Sequence, residues 1–181
     1  MKKILPLLIV AFIAVCGCDD KKGKNVVTIN TTPETETDST VYGKCGEQSA
    51  ASSIELITDD GVSHQYYKDD STDEDPVKGG IEAGDRLALI IKAGESGDTI
   101  ATSVINLTTL YGKWSSMDKT FEIRPDGSLI YAIQHESNPN AKWRVFNGKL
   151  ILNADTFKIQ ELGIDTLYLE GNNGKVAFKR Q

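Results

Sequence analysis

Histidine and cysteine are the residues at which catalytic or metal-binding chemistry is first sought, and this 181-residue chain has few of them. His64 and His135 lie far apart, and no serine or cysteine lies in a recognisable nucleophile elbow or beside a histidine-bearing motif. No His and Cys residues have the spacing of a zinc site, and the sequence has no glycine-rich phosphate loop. The sequence therefore predicts a protein that is not an enzyme and that uses no cofactor.

The cysteines are Cys16, Cys18 and Cys45. The first two stand at the end of an N-terminal apolar segment, so Cys45 is expected to be alone in the mature chain, without an intramolecular disulfide partner. A lone thiol becomes a nucleophile when a neighbouring base or cation favours the thiolate. Lys44 is adjacent to Cys45, but no histidine is near in sequence. A small buried core residue is the favoured interpretation of Cys45.

Acidic residues are concentrated over positions 69–75, which offer oxygen ligands of the kind that Ca²⁺ binds. An EF-hand loop also needs a central glycine and a closing glutamate, and this stretch has neither. We therefore expect a solvated charged loop and no metal site. Over the whole chain 26 acidic residues exceed 20 basic ones, which gives a net charge of −6. Such a surface repels phosphates and excludes nucleic acid as a partner.

The N-terminus has the features of an export signal. A basic start precedes an apolar run over residues 4–15, which is too short to span a bilayer. The run ends at residues 15–18 in Val-Cys-Gly-Cys, which resembles the lipobox of bacterial lipoproteins. This resemblance implies a signal peptide of residues 1–17 and a Cys18 that carries diacylglycerol and an N-terminal acyl chain such as palmitate. Such an anchor is firm, because each buried CH₂ contributes about 0.8 kcal/mol. Ordinary secretory cleavage, with Cys18 incidental, is the alternative.

Two aspartates, Asp19 and Asp20, directly follow the predicted anchor. In enterobacterial lipoproteins an aspartate at this place retains the protein in the inner membrane. In Bacteroidetes-type lipoproteins, which this chain resembles overall, acidic residues near the anchor can accompany export to the cell surface. We expect a lipid-anchored protein of the cell envelope, in the outer membrane, that faces the periplasm or the outside.

The segment between the anchor and the folded part is predicted to be a flexible tether over residues 18–43. Residues 31–40 are polar and cannot bury enough surface to offset their ordering entropy. Residues 26–29, Val-Val-Thr-Ile, are the exception, a candidate short strand or partner-binding segment. Residues 44–109 then carry four or five short strands separated by turns. This strand count and spacing predict a small β-barrel of OB or SH3 type.

Residues 110–181 show about eight short strands separated by tight turns. Asn147-Gly148 is the strongest two-residue hairpin signal in the chain. The alternation of apolar and polar residues predicts an antiparallel meander that closes into a barrel, so the whole folded part is expected to be all-β. An eight-stranded barrel has an interior that side chains fill or that just holds one ligand.

The same region resembles the lipocalin-like domain of Bacteroidetes lipoproteins, and the resemblance rests on residues 112–114, 124–127, 143–145, 147–150 and 178–180. In lipocalins a tryptophan on the first strand packs at the closed end of the barrel beneath a basic residue of the last strand. Carried over to this chain, Trp114 stacks under Arg180, or under Lys179 if the register differs by one. The resemblance thus implies a structural role for Gly112, Trp114 and Arg180.

Four aromatic residues of this region, Phe121, Tyr131, Trp143 and Phe157, are candidates to line either a core or a ligand pocket, and a core is the default. We expect a membrane-anchored, non-enzymatic protein with a binding or envelope-interaction role, which could include an envelope protein as partner. The alternative is a carrier of a small apolar ligand in residues 110–181. An enzyme without a recognisable motif is the third hypothesis. An apolar cavity in this region favours the carrier.

Overall fold

Strands account for almost all the regular structure of residues 36–132 and 140–181, which are the residues that the computed structural model describes. The strands of the first half are β1 (Val41–Cys45), β2 (Ser53–Thr58), β3 (Ser63–Lys68), β4 (Val77–Lys78), β5 (Arg86–Ala93) and β6 (Thr99–Asn106). A single helical turn, α1 (Leu107–Leu110), leads to the second half. The strands of the second half are β7 (Gly112–Ser115), β8 (Thr120–Ile123), β9 (Leu129–Tyr131), β10 (Trp143–Phe146), β11 (Lys149–Leu152), β12 (Asp155–Leu162), β13 (Thr166–Gly171) and β14 (Gly174–Arg180).

The first half forms a closed five-stranded barrel. Its strands follow the order β3-β2-β1-β5-β6, and a parallel pairing of β3 with β6 closes the ring. The two-residue strand β4 adds to β6 from outside. Leu56, Leu87 and Leu89 are fully buried in its core, beside Cys45. The predictions of a small β-barrel in this region and of a buried Cys45 are confirmed.

The second half forms an eight-stranded antiparallel barrel that is nearly closed. Its strand order is β10-β11-β12-β13-β14-β7-β8-β9, and one isolated bridge, between Ser128 and Lys142, joins its two ends. The hairpin at Asn147 and Gly148 has positive φ at both residues, +48° and +74°, as a tight two-residue turn requires. The prediction of an all-β fold with an antiparallel meander barrel is confirmed.

Successive antiparallel strands place alternate turns at the same end of the second barrel. The turns after β7, β11 and β13 therefore share one end, which we call the open end. The turns after β8, β10 and β12 share the other end with α1 and with the C-terminus of β14, and we call it the closed end. Each candidate residue can be located by this division.

The two barrels are joined at several points. The hydroxyl of Tyr42, on β1, donates to the backbone oxygen of Val145 on β10 at 2.8 Å. Asn106 is buried at the end of β6, where its side-chain oxygen accepts from the backbone N–H of Thr109 at 3.0 Å and caps α1. The Asn106 amide donates to the Asp85 carboxylate at 2.7 Å. These contacts fix the helical turn that leads into the second barrel.

Two boundaries differ from the predictions. The tether was expected to extend to residue 43, whereas β1 begins at Val41 and pairs with both β2 and β5. This strand has no clear alternation in sequence and owes its conformation to pairing on both sides. In addition, Ser39 hydrogen-bonds the Asn147 side chain through its backbone N–H, so residues just before β1 contact the second barrel. The helical turn α1 was not predicted, and the Asn106 cap explains why the chain coils there.

Several predictions concern parts of the chain outside the described residues. They are the signal peptide of residues 1–17, the lipidated Cys18, the tether up to residue 35 and the neighbourhood of His135. In residues 36–132 and 140–181, no helix combines the length and the apolar character that crossing a bilayer requires.

Candidate functional site

A pocket of about 390 Å³ lies at the open end of the second barrel. The residues around it come from the β7–β8, β11–β12 and β13–β14 turns and from the adjoining strand ends, together with Tyr131 at the end of β9. This volume lies within the range of about 300–1,000 Å³ that is typical of small-molecule sites. It is the strongest candidate site in the described part of the chain.

Aromatic side chains form part of the inner surface of the pocket. Phe121 and Phe178 are buried, and their rings meet edge to face with centroids 4.9 Å apart. Tyr131 adds a second edge contact to Phe121, at 6.4 Å. Phe157 and Val176 are half-buried on the neighbouring strands. Edge-to-face ring contacts are a favourable geometry, so the surface that a ligand would meet is held in place by the core.

Phe157 owes its position to a glycine on the adjacent strand. A Cβ atom at Gly171 would lie 2.9 Å from two ring carbons of Phe157, closer than real contacts allow. The absence of a side chain at Gly171 thus leaves room for the Phe157 ring to pack closely against β13. The sequence alone does not reveal this pairing, because it depends on the register between β12 and β13.

The rim of the pocket carries charges of both signs. Asp118 and Lys119 are exposed on the β7–β8 turn, while Asp155 and Lys175 are exposed at the starts of β12 and β14. Among residues 36–132 and 140–181, none of these four side chains takes part in an ion pair. Two cations and two carboxylates therefore surround the mouth of an aromatic pocket.

Tyr131 links the aromatic surface to the charged rim. Burial raises the pKa of its hydroxyl, and the nearby Asp155 carboxylate raises it further. The hydroxyl therefore keeps its proton at neutral pH and can donate a hydrogen bond. It has no hydrogen-bond partner within the described residues. A ligand in the pocket would find there a donor that lies beside a carboxylate.

The closed end of the same barrel is sealed by Trp114 and Arg180. Trp114 is fully buried, and its indole N–H donates to the backbone oxygen of Leu110 at 2.8 Å. The Arg180 guanidinium lies 4.2 Å from the Trp114 ring centroid and donates to the backbone oxygen of Tyr111 at 2.7 Å. Burial lowers the pKa of Arg180. The stacking that the lipocalin resemblance implies is thus present, with Arg180 and not Lys179 over the ring.

Gly112 completes this arrangement. Its φ of +129° is rarely adopted by residues that carry a side chain, and a Cβ atom there would lie 2.5 Å from a guanidinium nitrogen of Arg180. Gly112, Trp114 and Arg180 therefore form one structural unit at the closed end. They are on the other end of the barrel from the pocket and do not line it.

The four aromatic candidates separate into two groups. Phe121, Tyr131 and Phe157 line the pocket, whereas Trp143 does not. Trp143 is almost fully buried, donates to the backbone oxygen of Arg124 at 2.7 Å and packs edge-on against Tyr111 at 5.7 Å. It therefore belongs to the core of the barrel.

Further residues of the pocket were not identified from the sequence. Phe178 and Val176 point inward from β14, and Leu152 is buried at the end of β11. Their alternation with polar neighbours indicates an inward side chain, but it does not say which end of the barrel each one occupies. Combining that alternation with the order of the hairpin turns would have grouped them with Phe121.

A second pocket, of about 250 Å³, lies where the two barrels meet. Glu74, in the loop before β4, pairs with Lys78 at 3.1 Å and with Lys158 of β12 at 3.5 Å. The hydrogen bond from Lys78, together with the charges of both lysines, lowers the pKa of the Glu74 carboxyl. Because these charged groups neutralise one another, we interpret this crevice as a joint between the barrels.

The remaining reactive side chains form no catalytic arrangement in the part of the chain that is described. Cys45 is buried, and its Sγ atom lies 3.2 Å from the Ser49 hydroxyl. His64 is exposed on β3, with its ring tilted against Tyr66. No group of three His, Cys, Asp or Glu residues is placed there to hold a metal ion. In comparisons with known proteins, no family model, no curated protein and no solved structure matches this chain.

Proposed function

We propose that this protein is a lipid-anchored, non-enzymatic binding protein of a bacterial envelope and that the second barrel holds a small ligand with an apolar body. The observation that carries the proposal is the aromatic pocket of about 390 Å³ at the open end of that barrel. The pocket is concave, as small-molecule sites are, and combines several aromatic side chains with the polar groups of its rim. The pocket favours the carrier over a role limited to contacts with other envelope proteins.

The design of the barrel supports this assignment. The closed end is filled by Trp114 and its neighbours, which stabilise the barrel. The open end can therefore carry binding residues. A similar division, with a structural tryptophan at one end, is what the resemblance to lipocalin-like domains implies. The proposal therefore places the ligand among Phe121, Tyr131 and Phe157.

Ligands that copurify with the mature protein provide the test. Mass spectrometry of the denatured protein is expected to release a small molecule from the wild type, and less of it from Phe157→Ala, which removes one wall of the pocket. Tyr168→Ala is the matched control, because Tyr168 is an exposed aromatic on the outside of the same barrel. Equal recovery from all three proteins would contradict the proposal.

The anchor is supported by the lipobox-like residues 15–18. A thiol is the group that receives the diacylglycerol, so Cys18→Ser is expected to remain unprocessed and to incorporate no labelled acyl chain. Cys45→Ser is the control, since that thiol is buried in the first barrel and should not affect labelling. Normal labelling of the Cys18→Ser protein would refute the lipid anchor and leave the binding role intact.

A further inference from the structure

We infer that the ligand is a compact, ring-containing molecule that carries both a positive and a negative group, and that it is not a long acyl chain. This inference rests on the proposed binding role of the open-end pocket and specifies its chemistry. Three features of the pocket carry it: its filled floor, its aromatic walls and the mixed charges of its rim.

The floor of the pocket limits the length of the ligand. Beneath it the barrel is packed with fully buried side chains, among them Trp114, Leu150, Leu167 and Leu169. Such interiors are close-packed and leave few voids larger than a water molecule. None of these four side chains lines the pocket, and the volume of the pocket is near the lower limit for small-molecule sites. An extended acyl chain would find no channel to enter.

The walls favour a flat ring over an aliphatic tail. Phe121, Phe178, Tyr131 and Phe157 line the same space, and the ring of Phe121 meets those of Tyr131 and Phe178 at interplanar angles of 65° and 68°. Aromatic groups gain about 0.5–1.5 kcal/mol from edge-to-face or offset-stacked contacts beyond the burial of their area. A ligand with one or two rings obtains this additional energy, and a flexible chain does not.

The rim sets the charge of the ligand. Asp118 and Asp155 provide carboxylates, Lys119 and Lys175 provide ammonium groups, and none of the four is paired with a described residue. A ligand with a single charge would pair only with rim groups of the opposite sign. The rim groups of its own sign would repel it. A molecule with both signs can contact both, and the Tyr131 hydroxyl offers it one further hydrogen bond.

Four probes that differ in one property at a time test the inference. L-tryptophan carries the ring and both charges, tryptamine lacks the carboxylate, and indole-3-propionate lacks the ammonium group. Palmitate has a carboxylate and no ring. Binding is measured by isothermal titration calorimetry on a lipid-free chain that is expressed from residue 18 onwards, without the predicted signal peptide, and that carries Cys18→Ser. We expect L-tryptophan to bind more tightly than either singly charged indole, by up to about fivefold for each exposed charge pair, and we expect palmitate not to bind.

Single charge removals then identify the contacts. Lys175→Gln is expected to abolish the preference for L-tryptophan over tryptamine, which lacks the carboxylate. Asp155→Asn is expected to abolish the preference for L-tryptophan over indole-3-propionate, which lacks the ammonium group. Lys179→Gln, another exposed lysine of β14 outside the pocket, and Asp98→Asn, in a turn of the first barrel, are controls that should change neither preference.

The outcomes separate this inference from the proposed function. Tightest binding by palmitate, with affinity lost in Phe157→Ala, would overturn the inference and leave the binding role standing. Equal preferences in Lys175→Gln, Asp155→Asn and the wild type would overturn it in the same way. Both the inference and the proposed binding function would be refuted by two results together: no probe binds in a way that Phe157→Ala weakens, and no ligand copurifies.

Discussion

The first barrel is narrow and closed, whereas the second is wider and keeps an open end. In the first, aliphatic side chains such as Leu56, Leu87 and Leu89 fill the interior, and the β3–β6 pairing leaves no gap in the ring. In the second, Trp114 seals one end, and the aromatic residues near the other end surround a pocket. Strand number is the underlying cause, because an eight-stranded barrel is just wide enough to hold one ligand.

This contrast assigns different tasks to the two halves of the folded part. The core around Trp114 extends across α1 to Ala88 and Ile105 of the first barrel, so the closed end of the second barrel is stabilised by its neighbour. The first barrel thus supports the end of the second barrel that does not bind ligand. The open end depends on its own aromatic contacts.

The largest effect is expected at the closed end. Trp114→Ala removes a fully buried indole, leaves the Leu110 oxygen without its donor and takes the ring away from Arg180. The free energy of unfolding should fall by about 3–5 kcal/mol. Denaturant titration measures it, and Tyr168→Ala on the outer surface should stay within about 0.5 kcal/mol of the wild type. A Trp114→Ala protein as stable as the parent would refute the sealing role.

A smaller effect is expected from Gly112→Ala, which forces a side chain into a backbone conformation with φ of +129° and against Arg180. Strain of this kind costs about 1–3 kcal/mol. Gly174→Ala, at the open end, is the matched control: its φ is +104°, and a Cβ atom there would meet no atom within 4 Å. The loss at residue 112 should exceed the loss at residue 174, and equal losses would show that the contact with Arg180 does not matter.

The smallest effect concerns pH and the first barrel. The Lys92 ammonium, 2.7 Å from Asp69, and then the Ser71 hydroxyl lower the pKa of the Asp69 carboxyl to about 2. Because this pKa is lower than the ordinary value of 3.8, ionised Asp69 stabilises the folded chain above about pH 4, and this contribution disappears as the pH falls towards 2.

The comparison with Asp69→Asn measures this contribution. The wild type should be slightly more stable than the variant at neutral pH, and the difference between them should shrink between about pH 4 and pH 2. Chemical denaturation at several pH values provides the data. A difference that does not change over this interval would mean that the ion pair with Lys92 contributes nothing.

Much of the fold follows from local sequence patterns. The hairpin at Asn147-Gly148 and the alternation in β2 and β8 were sufficient to predict short antiparallel strands, because turn chemistry and period-two patterns act over a few residues. Strand β1 and the turn α1 were not predicted. The first depends on pairing with β2 and β5, which are distant in sequence, and the second on a cap by Asn106 in a stretch with strand-like composition.

The candidate site was only partly predictable. Phe121, Tyr131 and Phe157 were identified as candidates because they are aromatic, but the same criterion selected Trp143, which the Arg124 backbone holds in the core. Composition does not reveal the end of a barrel at which a side chain lies. The charges of the rim were missed as well, since an exposed Lys175 or Asp155 has no sequence feature that separates it from any other surface charge.

Chemical-shift mapping by NMR tests the central claim most directly, because it reports on both barrels in one experiment. On addition of L-tryptophan to the ¹⁵N-labelled, lipid-free mature chain, the amide signals around Phe121, Phe157 and Val176 should move. Those of the first barrel, for example Leu56 and Leu89, should stay in place. Shifts confined to the first barrel, or no shifts at any concentration, would contradict the assignment of the binding site to the open end of the second barrel.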